Sequence, residues 1–421
     1  MAQKAIFCYC RSMKEAQKIL IFSVAYYPKF VGGAEVAVKE ITDRLSPDAW
    51  EFHLLTLRLD KTLPKYEKIG NVHVYRLGFA GRMKESADSL RFPLHYNKYL
   101  YPFLSAWYAL KLSKKHQFKM TWAIMANYSG FGALFFKWFR PKIPMLLTLQ
   151  EGDPIEYIKK RVGVLYPIFK QIFKKTDAIQ AISTYLANFG KSMGFEGEPV
   201  VVPNGVDVSL FTKDLDRETR EQTRQSLGLS KDDVGVVTTS RLVIKNGVGD
   251  VISALALLPE KYKFVVFGEG YLEKDLRLKI KDLKLEERVL LKGFLPHKDM
   301  PRMLKACDIF IRPSLSEGFG NSFIEAMAAR LPVVATREGG IADFLFDPNS
   351  SGYDSQVGQT GYVCEKENPE SIKDAILRAA SDPSRDEVIE NAYKMAIGKY
   401  NWEVVVSDMK NVFEDTINLI K

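Results

Sequence analysis

Apolar positions fall in short runs along this chain, and between the runs they recur at helical spacing. In the first half, KILIFSVAYY (18–27), WEFHLLTL (50–57), VHVYRLGF (72–79), WAIMANY (122–128), MLLTLQ (145–150) and AIQAIS (178–183) read as strands. Several are apolar nearly throughout, as strands buried on both faces of a parallel sheet are. The second half repeats the pattern in VGVVTTS (234–240), KFVVFG (263–268), RVLLKGF (288–294), DIFIRP (308–313), PVVAT (332–336) and GYVC (361–364). Helical patterns lie between the runs; Ala34, Ala37, Val38, Ile41 and Leu45 trace one apolar face. Two βαβ series in succession predict an α/β chain of two Rossmann-like, doubly wound domains. Pro203, Asn204 and Gly205 interrupt the strand pattern of VVVPNGVD (200–207) and mark the join. That places the domains at 1–203 and 204–402, with a last helix over 403–421 whose apolar stripe runs from about Val404 to Ile420. Ligands of open α/β sheets bind beyond the C-terminal strand ends, so the site is expected in an interdomain cleft that both domains face.

Composition agrees with this picture. At 421 residues the chain is long enough for two cores, and 46% hydrophobic with 26% charged residues is the balance of a folded globular protein. The longest uncharged apolar runs, YLYPFLSAWYAL (99–110) and TWAIMANYSGFGALFF (121–136), fall short of the roughly 20 residues that a spanning helix needs. The four cysteines, Cys8, Cys10, Cys307 and Cys364, form no C-x-x-C pair, which points to a reduced, cytoplasmic setting.

Charge adds an asymmetry. Residues 1–200 hold 30 basic against 16 acidic side chains, a net of +14, and 201–421 hold 30 against 35, a net of −5. From Ser89 to Gln150 there are nine basic residues and no acid. The first half is therefore expected to face something anionic. Together with KKRVGVLYPIFKQIFKK (159–175), this pattern fits peripheral contact with anionic lipid at the inner face of the cell membrane. A core-packed helix with a solvated basic face fits 159–175 equally well. No recognised nucleic-acid-binding module accompanies the basic half.

The chemistry concentrates in SEGFGNSFIE (316–325), which follows the run DIFIRP and so lies at a strand's C-terminal end. Gly318 and Gly320 let the backbone approach a ligand, and the N–H groups of Gly318, Phe319, Gly320 and Asn321 can donate to hydroxyls or a phosphate. Glu317 and Glu325 can each accept two hydroxyls of a vicinal diol. The plainer alternative is a capping box, in which Glu325 satisfies a backbone N–H next to Ser322. In SRLVIKNGV (240–248), Arg241 and Lys245 can neutralise a diphosphate, or can be ordinary surface cations. Gly32 and Gly33 lie between the first strand and the first helix, the position where a Rossmann half approaches phosphate.

These stretches, taken in order with VVPNGVD, VVFGEGYLEKDL, VLLKGFLPHKDM and REGGIADF, resemble the retaining nucleotide-sugar glycosyltransferases of family 4, which have the GT-B fold. The resemblance spans about 18–420 and is densest over 200–345. It implies that Arg241 and Lys245 hold the diphosphate of a UDP- or GDP-type donor. Glu317 would contact the donor sugar, Glu325 the ribose, and the backbone at Phe294 and Leu295 the nucleobase. Gly32 and Gly33 would approach the donor from the first domain, and the last helix would cross back to that domain. No cofactor and no metal is implied beyond the nucleotide-sugar co-substrate. The implied reaction moves a hexosyl-type sugar with retention to a glycan or lipid-linked acceptor, and the diphosphate leaves.

Two positions depart from the family pattern. Where the family often has Thr-x-His, this chain has TLQEGDP (148–154), with Gln150 at the His position and Glu151 and Asp153 beside it as acceptor-side candidates. The family's Arg-x4-Lys spacing is shortened to Arg241-x3-Lys245. The alternatives are a catalytically weakened homologue, which binds nucleotide-sugar or membrane without transfer, and a sugar phosphorylase or nucleotide-sugar epimerase of related form.

Overall fold

The computed structural model describes residues 15–29, 32–80 and 96–419. Cys8, Cys10, positions 89–95 of the acid-free stretch and the Ile420 end of the last helix lie outside the described residues. The strands form two sheets. The first contains β1 (Gln17–Phe22), β2 (Trp50–Leu57), β3 (Tyr66–Ile69), β4 (Val72–Leu77), β5 (Phe118–Ile124), β6 (Met145–Leu149), β7 (Ala178–Ala181) and β8 (Val200–Val201), in the order β3-β4-β2-β1-β5-β6-β7-β8. The second contains β9 (Val234–Thr239), β10 (Tyr262–Phe267), β11 (Val289–Gly293), β12 (Ile309–Arg312), β13 (Val333–Ala335) and β14 (Tyr362–Val363), in the order β11-β10-β9-β12-β13-β14. The second sheet is parallel throughout. The chain forms two compact units, Met1–Leu146 with Glu414–Lys421, and Leu147–Phe413; the boundary falls inside β6.

Apolar runs became central strands because both of their faces are covered. Ile19 to Phe22 of β1, Phe264 to Val266 of β10 and Phe310 and Ile311 of β12 have no exposed surface. Each such side chain contributes about 1.5–3 kcal/mol by leaving water. Helix Gly33–Arg44 buries the expected face of Ala34, Ala37, Val38 and Ile41. The last helix runs over Trp402–Asn418.

Strand order sets where ligands can sit. In the second sheet the chain runs from β9 outward through β10 to β11, then returns to β12 on the other side of β9. The loops after β9 and β12 therefore diverge and leave a crevice at their C-terminal ends. In the first sheet the same reversal lies between β1 and β5, and Gly32 and Gly33 follow β1.

Strand β1 ends at Phe22, short of the expected Tyr27, and two further elements differ from the sequence reading. The strand expected at 122–128 is β5, Phe118–Ile124. It ends where Met125 takes a left-handed φ of 68° and Asn127 caps helix Tyr128–Phe139, its Oδ1 accepting from Ser129 N at 2.9 Å. Strand β3 has no apolar run at all. It is an exposed edge (Tyr-Glu-Lys-Ile) paired antiparallel to β4 through the two-residue turn Gly70-Asn71.

Candidate active site

The site in the second unit is built on the ends of β9 and β12. Arg312 is the last residue of β12 and is buried with the strand. A buried guanidinium needs partners, and the structure supplies three. Nη2 donates to Glu317 Oε2 at 2.8 Å and Nη1 to Ser322 Oγ at 2.8 Å, while the guanidinium lies 4.3 Å over the Phe323 ring. Glu317 is thereby fixed through one carboxylate oxygen.

The loop after β12 is folded tightly. Gly320 has a φ of 96°, a conformation that favours glycine, and starts helix Asn321–Ala328. A side chain there would strike Phe323 and Arg312. At Gly318 a Cβ would come 2.4 Å from the Glu151 carbonyl, so the glycine lets this loop lie against the chain that leaves β6. From the other side, Gly340 N donates to the Glu317 carbonyl at 2.9 Å. Because the helix cap is Gly320, Ser322 caps nothing and Glu325 is not part of a capping box. Glu325 is buried, and its Oε1 lies 2.9 Å from His297 Nε2. That hydrogen bond raises the His297 imidazole above its ordinary pKa.

The β9 loop carries the other cations. Arg241 is exposed, and Asn246 Nδ2 donates to its carbonyl at 2.7 Å. Lys245 sits in a 3-10 turn, Ile244–Asn246, ahead of helix Val248–Leu255. Leu315 N donates to the Lys245 carbonyl at 2.7 Å, which joins the β9 and β12 loops. Lys245 Nζ donates to Gly152 O at 2.5 Å. Burial pushes the Lys245 ammonium below its ordinary pKa, while Glu317 and Asp153 push it back and Arg241 and Arg312 add to the depression. Those five charged groups are thus within electrostatic reach of one another.

Thr238 Oγ1, Thr239 Oγ1, Ser240 Oγ, Ser314 Oγ and Arg312 Nε are buried side-chain atoms with no hydrogen-bond partner among the described residues. All five lie at the ends of β9 and β12. Buried polar atoms are nearly always paired, so this concentration marks where a polar ligand would complete the structure.

The structure therefore brings together Arg241, Lys245, Glu317, Gly318, Gly320, Asn321, Glu151 and Asp153. Phe319 is buried against Phe344 and Tyr400. Gln150 follows β6 and is buried. Phe294, 73% exposed, and Leu295 follow β11, three and two residues before His297. Gly32 and Gly33 belong to the first unit. There, Gly32 N donates to its own helix's Glu35 Oε2 at 2.7 Å, while a Cβ at Gly33 would meet nothing within 4 Å. Two side chains escaped the sequence reading, Arg312 and His297. The signal for Arg312 was a cation closing an otherwise apolar buried strand, with an acid five residues on.

The chain is similar to known glycosyltransferases along most of its length. The family model for glycosyl transferases group 1 matches residues 219–395, and the Glycosyltransferase Family 4 model matches 31–210. An uncharacterised glycosyltransferase of Methanocaldococcus jannaschii is 25% identical over 428 residues, covering 96% of this chain and 99% of the relative. A GDP-mannose-dependent monoacylated alpha-(1-6)-phosphatidylinositol monomannoside mannosyltransferase of Corynebacterium glutamicum is 27% identical over 58% of this chain and 64% of its own length. Among solved structures, Anabaena HepE in complex with UDP-glucose superposes with a TM-score of 0.72 at 20% identity, covering 94% of this chain and 99% of that one. The two parallel-sheet α/β architecture is the GT-B fold.

Proposed function

Because this chain belongs to the group 1 glycosyltransferases of family 4, we propose that it moves a hexosyl sugar from a UDP- or GDP-linked donor to an acceptor hydroxyl with retention of configuration. The observation that carries this reading is the set of cations and unpartnered buried polar atoms at the ends of β9 and β12. Arg241 and Lys245 neutralise the donor diphosphate, aided by the N-terminus of helix Asn321–Ala328. Charge grows on that diphosphate as the anomeric bond stretches, so these groups stabilise the transition state more than the ground state. Glu317, held by Arg312 through Oε2, presents Oε1 to the sugar hydroxyls. Glu325 accepts from the ribose, with His297 beside it. The backbone at Phe294 and Leu295 meets the base. In a same-face substitution the departing phosphate takes the acceptor's proton, so no protein base is required at Gln150.

The acceptor we favour is lipid-linked or part of a cell-envelope glycan. The Corynebacterium relative is named for a phosphatidylinositol mannoside acceptor. Helix Tyr96–Leu112 exposes Tyr99, Phe103 and Trp107 at four-residue spacing, and Phe103 continues through Phe135 to exposed Trp138. This aromatic face lies in the acid-free stretch, and Lys111 lies over the Trp107 ring. Aromatic rings ringed by cations suit an anionic lipid interface. In the second unit, helices Ile155–Val162 and Tyr166–Lys175 meet at a tip where Val164 is 95% exposed beside Lys159, Lys160 and Arg161. No helix among the described residues is long and apolar enough to cross a membrane.

Incubation with UDP- and GDP-hexoses and anomeric analysis of the product by NMR tests this function. A product with the donor's configuration supports it. An inverted product, or release of sugar 1-phosphate with inorganic phosphate as co-substrate, overturns it. Gln150 in place of the family His favours the second reading, donor binding without transfer. That reading predicts nucleotide-sugar binding with no turnover in the same assay.

A further inference from the structure

A second cluster of chemically able side chains lies in the first unit, at the opposite ends of the strands from Gly32 and Gly33. The chain has five histidines, and three of them converge there. Glu51 and His53 are two residues apart on β2, so they share one face of the sheet. His73 on β4 is the register partner of His53, and their rings stack at 5.0 Å. His116, in the turn before β5, brings its ring centroid to 4.4 Å from that of His53. One ligand atom each from Glu51, His53 and His116 lie within 4.8 Å of one another.

We propose that Glu51, His53 and His116 form a site for a divalent transition metal such as Zn2+, with His73 adjacent. Two imidazoles and a carboxylate are a three-ligand zinc set that leaves the fourth position to water. Ligand atoms in such a tetrahedron stand roughly 3.3 Å apart, as follows from metal–ligand bonds of about 2.0–2.2 Å. His53 Nε2 and Glu51 Oε1 are now 2.6 Å apart, joined by a proton, so the metal takes that proton's place between them.

The proton is not lost. His53 Nδ1 lies 3.1 Å from Tyr75 OH. On metal binding the imidazole changes tautomer, so that Nε2 offers its lone pair to the metal and Nδ1–H donates to the Tyr75 oxygen. That is the outer-shell hydrogen bond that metal-bound histidines regularly make. Tyr66 OH in turn holds His73 Nδ1 at 2.8 Å. The cluster sits at the N-terminal ends of β2, β4 and β5, whereas ligands of such sheets bind at the C-terminal ends. The metal therefore braces the N-terminal end of the sheet and takes no part in sugar transfer.

The test uses the full chain without a polyhistidine tag, stripped with chelator and titrated with Zn2+ by calorimetry and with Co2+ by visible absorption. A single equivalent should bind, Co2+ should give the intense d–d bands of a tetrahedral site, and Zn2+ should raise the melting temperature. His116 is half-buried in a turn, so His116→Ala should fold and lose affinity by ~10-fold or more, and Tyr75→Phe should lose about as much through the outer shell. Glu51→Gln serves as a second ligand variant. Absence of binding to the stripped wild-type protein overturns the proposal, as does full affinity retained by both His116→Ala and Glu51→Gln.

Discussion

Arg312 and Glu317 form an ion pair 2.8 Å long whose side chains are only 8% and 15% exposed. The pair fixes the acid proposed to meet the donor sugar, and it lies beneath Lys245 and Arg241 in the electrostatics of the site. Removing one member of a buried pair strands the other. Arg312→Met should therefore cost about 3–5 kcal/mol of stability, read by urea unfolding. The double variant Arg312→Met/Glu317→Gln should recover much of that stability without recovering turnover. Equal stability of wild type and Arg312→Met would show that the pair does not carry this energy.

Much of this architecture was legible in the sequence, because fully buried parallel strands are spelled out as apolar runs. WEFHLLTL coincides with β2, and VGVVTTS contains all of β9. What the apolar pattern missed was held by other forces. Strand β3 exists through backbone pairing and a Gly-Asn turn rather than through burial, and β5 was misplaced because a cap, not a change in hydrophobicity, ends it. At the site, the glycines and acids of SEGFGNSFIE could be read, but their partners could not. Arg312 and His297 are placed by the fold, and sequence spacing alone suggested a capping box that the left-handed Gly320 replaces.

His297 and Glu325 give a pH signature. The folded imidazole has its pKa raised by the hydrogen bond to Glu325. A raised folded value stabilises the protein fully below the ordinary His pKa of about 6.5, and the stabilisation fades as pH rises through the folded value. Melting curves of wild type and His297→Gln should thus differ most below about pH 6.5 and converge in the alkaline range. A constant difference across pH would assign the effect of His297 to packing against Phe211 instead.

Glu325→Ala should weaken binding of the free nucleoside diphosphate as much as that of the nucleotide-sugar, because the ribose is common to both. The loss should be about 10- to 100-fold, as for a hydrogen-bonded charged group worth ~1.5–3 kcal/mol. Calorimetric titration of both ligands checks this. A variant that binds the diphosphate normally and only the sugar poorly would move Glu325 to the sugar.

The aromatic face of helix Tyr96–Leu112 should bind vesicles containing phosphatidylserine and release them in high salt. Trp107→Asp with Phe103→Asp should abolish co-sedimentation, since each ring offers about 1.5–3 kcal/mol on burial. Both side chains are exposed, so the melting temperature should hold. Undiminished vesicle binding by the double variant would place lipid contact elsewhere.

The central claim is that the loops after β9 and β12 grip a sugar nucleotide through its diphosphate, and a calorimetric titration of UDP- and GDP-sugars into wild type and Lys245→Ala tests it most directly. At least one donor should bind the wild-type protein and bind the variant about 10- to 100-fold more weakly, the loss of one charge-assisted contact. A donor that binds both proteins alike, or a full panel that binds neither, would contradict it.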